Sequence, residues 1–186
     1  MIGSIRAGVV DDAEAITRVH QRAWGPTYRG IVPDELIAAV TSRDGAPRWR
    51  ERVVDPELAT FVAEVSASEA EGLGLDLGAP RVIGFACGGT VGELRPDDPR
   101  PDDCGLVHTL YLLPEVGRQG VGRALLEALH ASFRARGLLR SSLGVHPGNA
   151  NARAFYERLG YRLHGDEFGH VLGGVELPTL EYRAVL

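Results

Sequence analysis

An apolar run, "LVHTLYLL" at 106–113, leads into "PEVGRQGVGRALLEAL", a glycine-rich turn followed by a helix-forming stretch. That junction constrains the fold more than any other segment. A run of strand length bounded by Gly105 and Pro114 predicts a strand. The residues after it predict a helix over about 122–136 that Gly137 ends as a C′ residue. A glycine-rich strand-to-helix turn leaves backbone N–H groups uncovered and points the positive end of the helix dipole outward. Arg118 and Arg123 would add charge-assisted donors. The turn therefore predicts an anion site, with phosphate the first choice. The plain alternative is a tight turn that uses glycine for conformation alone.

Two phosphate-binding motifs are excluded by what is absent. A Walker A loop needs a lysine, and this chain has none, so all 20 of its basic residues are arginine. A dinucleotide fingerprint needs a third glycine, which "GVGRAL" from Gly120 lacks, and no single acidic residue stands out about 20 residues on.

The rest of the chain supplies the setting. Strands are expected over 2–9, 59–65, 81–90 and at "SSLGVHP", with "GYRLHG" and "LPTLEYRAV" closing the sheet. Helices are expected over about 12–24, from Pro33 onward, at "PRWRERVV" and at "ARAFYERLG". Asp11 and Glu14 have capping-box spacing at the start of the first. "GPTYRGIVPDEL" is expected to break that helix. "SASEAEGLGLDLGAP" reads as a mobile hairpin loop, and "ELRPDDPRPDDCG" as an acidic, solvated connection that could also favour a cationic acceptor. This order implies a mixed α/β (α+β) sheet.

With 186 residues the chain fits one domain, 1–186, with a proper core. A net charge of -5 speaks against nucleic-acid binding. No apolar run is long enough to cross a membrane, and the N-terminus lacks the layout of a signal peptide. Cys87 and Cys104 form no pair or framework, so a reduced cytoplasmic setting is expected. The histidines lack zinc-site spacing, so no metal is expected.

"LYLLPEVGRQGVGRALLEAL" followed by a strand and "NANARAFYERLGYR" resembles the two signature segments of the GNAT acyltransferase superfamily. "IRAGVVDDAEAITRVHQRAW", "YRGIVPDEL" and "GGVELPTLEYR" extend the likeness, to a bacterial subgroup of small-molecule or uncharacterised N-acetyltransferases. The resemblance implies the GNAT fold: a mixed sheet of about 6–7 strands with one splayed pair, flanked by about 4–5 helices. It implies acetyl-CoA (coenzyme A) as cosubstrate and a small-molecule amine as acceptor, and dimers are common in the superfamily. Its pyrophosphate loop, [QR]-x-x-G-x-[GA], falls on Gly117, Arg118, Gln119, Gly120, Val121 and Gly122. Gly117 departs from the preferred Gln or Arg, leaving Arg118 or Arg123 as the side chain for a phosphate. Leu110, Tyr111 and Leu112 would offer main-chain groups to the pantetheine arm, and Asn149 would cap a helix and touch the cofactor.

Acyl transfer needs a neutral amine, and the leaving thiolate gains from a proton. Tyr156, at the end of the motif N-x-x-A-x-x-F-Y, is the expected proton donor, and the N–H of Leu112 the expected oxyanion donor. The superfamily's glutamate at the start of the central strand is Leu106 here; His108 on the same face, or Glu64 directly or through water, could serve as base, while a satisfied core histidine and an ordinary strand-end carboxylate account for the two equally simply. Trp24, Tyr28 and Trp49 lie where the acceptor pocket is usually walled. A non-catalytic acyl-CoA sensor and a protein N-terminal or lysine acetyltransferase are the other readings the sequence allows.

Overall fold

The computed structural model describes residues 3–95 and 97–186. Its strands are β1 (Ser4–Ala7), β2 (Leu58–Glu64), β3 (Val82–Gly89), β4 (Cys104–Leu112), β5 (Arg140–Val145), β6 (Arg162–Leu172) and β7 (Val175–Val185). They form one seven-stranded sheet in the order β1-β2-β3-β4-β5-β7-β6. The pair β4–β5 is parallel and every other pair antiparallel. A parallel pair needs a crossover, and the helix after the glycine-rich turn provides it.

Six α-helices cover the sheet among the described residues: α1 (Ala13–Tyr28), α2 (Asp34–Ser42), α3 (Ala46–Val54), α4 (Ala67–Gly72), α5 (Val121–Ala135) and α6 (Ala150–Arg158). The two faces are clear at adjacent residues of β3. A Cβ on Gly84 would lie 3.3 Å from Leu125 of α5, while Phe85 stacks edge-on against Trp49 of α3 at 4.9 Å. Alternation along the strand thus sends one side chain to α5 and the next to α1 and α3. The main core includes Ile16, Phe85, Leu125, Leu129 and Phe133, all buried. No described helix is long and apolar enough to cross a membrane.

The mixed sheet and the fold match the expectation, and four local readings are corrected. The segment after β2 contains α4, started by a capping box in which Ser66 accepts from the Glu69 N–H at 3.2 Å and Glu69 accepts from the Ser66 N–H at 2.8 Å. That brings the helices to six rather than about four or five. The Asp11–Glu14 box does not form. Asp12 occupies the cap position, and its carboxylate instead takes two bonds from Arg6, at 2.7 and 2.8 Å, and one from the Val9 N–H. α1 continues through Gly25 and Pro26 to Tyr28: Pro26 gives up one backbone bond, but the Arg29 N–H still closes on the Gly25 carbonyl at 3.0 Å and Trp24 and Tyr28 pack against each other across the break. Finally, β6 continues well past "GYRLHG" to Leu172 and pairs with β7 across a register shift between His164 and Phe168.

Candidate active site

β4 and β5 pair only from Cys104↔Arg140 to Val107↔Leu143 and then separate. The divergence starts at a bulge, since the β3–β4 register jumps from Gly88↔Val107 to Cys87↔Thr109 and leaves His108 over. Beyond it the Leu113 N–H donates to the Ile83 carbonyl at 2.9 Å. Alternation then turns the main-chain groups of Leu110 and Leu112 the other way, toward β5, where no strand meets them. A cleft of about 470 Å³ opens in this gap, lined by Leu110, Tyr111 and Leu112 on one side and Gly144 and Val145 on the other.

One end of the cleft is closed by the glycine-rich turn. Gly120 caps α5 with φ 83°, a left-handed conformation that suits glycine, and Arg118 is left-handed too at φ 63°. The first turn bonds back only from Ala124, to the Gly120 carbonyl at 3.0 Å, so the preceding N–H groups over 118–123 have no partner among the described residues. Gly122 lines the cleft, where a Cβ would lie 3.4 Å from both Leu112 and Phe155. Gly117 lines it too with an ordinary φ of −60°, and a side chain there would meet only the Pro114 carbonyl oxygen at 3.5 Å. Arg118 and Arg123 are exposed, and neither forms an ion pair among the described residues. Gln119, half-buried, and Val121, buried, do not line the cleft. Asn149 does: its side-chain oxygen accepts from the Ala152 N–H at 3.1 Å and caps α6.

Tyr156 lies on the α6 side of the same cleft, 9% exposed, with no hydrogen bond to its hydroxyl. Burial, reinforced by Tyr28, holds its pKa well above that of a free phenol, so it stays protonated. Opposite, the last two turns of α1 bring in Ala23, Pro26, Thr27 and Tyr28. The Tyr28 and Tyr111 hydroxyls are 3.2 Å apart, and Tyr28 stacks on Trp24 at 4.4 Å. Trp24 packs with Val32 and Leu36 in a second small core, whereas Trp49 belongs to the main one.

The two residues expected as bases are held differently. His108 lines the cleft, but its Nε2 bonds the Val91 carbonyl at 2.9 Å and its Nδ1 faces an Arg52 N–H. Burial, then the charge of Arg52, pushes its pKa down to about 4, so it is neutral near pH 7 with its basic nitrogen engaged. Glu64 lies outside the cleft, at the β1 edge, with its carboxylate bound by Arg6 Nε at 2.6 Å. Its strand is separated from β4 by β3, so the gap is out of its reach.

Sequence reasoning missed Thr109, which lines the cleft with a buried hydroxyl that has no partner. A lone Thr in an apolar run was the only signal of it. It also missed a grouping of Asp98, His164 and Glu181, whose ligand atoms lie within 4.8 Å of one another. Arg183 donates to Glu181 at 2.6 Å and comes within 3.7 Å of Asp98, so a guanidinium already answers this charge. Neither buried thiol, Cys87 or Cys104, lines the cleft.

A splayed parallel pair, a bare helix N-terminus at one end of the gap and a buried phenol beside it are the marks of an acyl-coenzyme A-dependent transferase fold. Comparison with known proteins agrees: residues 34–161 match the Acetyltransferase (GNAT) family. The chain belongs to that family. It is 28% identical over 123 residues to an uncharacterised N-acetyltransferase, YuaI, of Bacillus subtilis, a match covering 66% of this chain and 60% of that protein. It is 27% identical over 163 residues to a spermidine N(1)-acetyltransferase of Thermoplasma acidophilum, covering 86% and 88% of the two chains. Among solved structures, the PaiA N-acetyltransferase of Thermoplasma acidophilum in complex with coenzyme A superposes over 100% of both chains with a TM-score of 0.73 at 19% identity.

Proposed function

We propose that residues 1–186 form one N-acetyltransferase domain that moves an acetyl group from acetyl-CoA to a primary amine by direct attack within a ternary complex. The observation that carries this reading is the Tyr156 hydroxyl, protonated and without a partner, lining the gap between β4 and β5. Acetyl-CoA would supply the activated thioester. The residues present fit it: Leu110 and Leu112 turn unpaired main-chain groups into the gap, where a peptide-like arm can complete the strand ladder. The uncovered N–H groups over 118–123 and the α5 dipole suit a pyrophosphate, with Arg118 and Arg123 on the rim. Asn149 has an amide NH2 left over from its capping bond for a contact in the cleft.

In the reaction Leu112 N–H is the donor available to a developing oxyanion, and Tyr156 the proton source for the departing sulfur. No covalent enzyme intermediate is required, which agrees with two buried thiols that stand outside the cleft. The retained phenol favours an enzyme over a coenzyme A sensor. The test is thiol release from acetyl-CoA across a panel of amines, alongside Tyr156→Phe. Turnover that the substitution abolishes supports the proposal. Tight coenzyme A binding with no turnover on any amine overturns it.

A further inference from the structure

Among the described residues, the cleft lining holds no group able to take a proton from an ammonium ion. None of its lining residues is an aspartate or glutamate, and its one imidazole, His108, has both nitrogens engaged. The charged side chains acting on His108 are all cationic: Arg52 and Arg48 from α3 and Arg100 from the loop before β4. Neither Arg48 nor Arg52 has a carboxylate partner among the described residues. Its three phenols, Tyr28, Tyr111 and Tyr156, are all pushed upward by burial and stay protonated. Carboxylates stand only outside the lining: Glu167 and Glu176 of the β6–β7 hairpin line no part of the cleft, and others are held by basic groups. Glu64 is bound by Arg6 at 2.6 Å, Glu115 by Arg22 at 2.6 Å and Asp98 by His164 at 2.8 Å. Glu181 takes Ser142 and Arg183 on Oε1, leaving Oε2 as the one buried carboxylate oxygen without a partner among the described residues.

Resting on the acetyltransferase reading above, we propose that the acceptor is a weakly basic primary amine, such as the α-amine of a peptide or an arylamine, which enters the cleft already neutral. With such an amine the protons balance without an outside base. The nitrogen forms the C–N bond as the C–S bond breaks, and Tyr156 gives its phenolic proton to the sulfur. The nitrogen's surplus proton then restores the phenol, and amide and thiol leave neutral. An ammonium would bring one proton more, with no group in the cleft to hold it. The same cleft thus selects against lysine side chains and polyamines, both by protonation state and by the positive charge of the α3 arginines behind His108, which no carboxylate pairs among the described residues. It separates this chain from what the name of its spermidine-acetylating relative would suggest.

The test compares kcat/KM of the intact protein for a lysine-free tripeptide, an aniline and Nα-acetyl-lysine amide, with acetyl-CoA in excess, from pH 6 to 9 (amine pKa values about 8 for the peptide and about 10.4 for lysine). At pH 7 the neutral fractions differ so much that a weak amine should lead lysine by on the order of 100-fold. Which weak amine leads identifies the source. For the lysine amide the rate should rise about tenfold per pH unit without levelling off. Glu181→Gln should leave both patterns unchanged. Lysine amide matching the tripeptide at pH 7 would overturn the proposal. So would a plateau near neutral pH that is the same for every amine, or one that Glu181→Gln removes. Thiol release from none of the three would instead remove the acetyltransferase reading, and this one with it.

Discussion

At the α5 end of the cleft the surface offered to a ligand is main chain: the N–H groups over 118–123 and the groups of Leu110 and Leu112 that face a missing strand neighbour. Around His108 and along the walls given by α1, β4 and α6 it is side chain: an imidazole tied to Arg52 and Val91, a threonine hydroxyl without a partner, and three tyrosines. The first end depends on backbone conformation and tolerates most side-chain changes. The second depends on which atoms project into the gap, so small substitutions there redirect chemistry.

The largest effect should fall at the side-chain end. Tyr156→Phe removes the one phenol of the three in the cleft whose hydroxyl has no partner and should lower kcat by about 100-fold or more, with the coenzyme A Kd unchanged. Steady-state kinetics beside calorimetry would show it, and an unchanged kcat would break the assignment. At the main-chain end, Gly120→Val forces a β-branched residue to φ 83°. The strain, roughly 1–2 kcal/mol, should loosen the turn and weaken coenzyme A binding about 10-fold. Full affinity with a normally folded variant would contradict the cradle. Asn149→Ala loses the α6 cap and should cost about 1 kcal/mol in denaturant unfolding. Gly117→Gln should be the mildest. Its φ of −60° and the open space around it accept a side chain, so Tm should move by less than about 2 °C and coenzyme A affinity should hold or rise slightly.

How much of this was legible beforehand follows the same division. Strand, turn and α5 were readable because apolar length and glycine placement encode them locally, and the left-handed Gly120 is what such a turn demands. Tyr156 and Asn149 were readable through the signature segment around them, and Asn149 does cap α6. The bulge at His108 was not, because a register jump depends on the partner strand's Gly88 and Cys87. Nor was the reach of α1 to Tyr28, since local propensity stops a helix at "GP" while packing of Trp24 and Tyr28 carries it on. The bonds that hold His108 and Glu64 come from Arg52 and Arg6, 56 and 58 positions away, and no spacing rule reports such pairs.

The most direct test is a coenzyme A titration followed by backbone amide NMR. The resonances of Leu110, Leu112 and residues 120–123 should move together and saturate with a single Kd, while β1 and β6 stay still. Saturable shifts confined to another surface, with these amides unmoved, would contradict the assignment of the β4–β5 gap as the cofactor cleft.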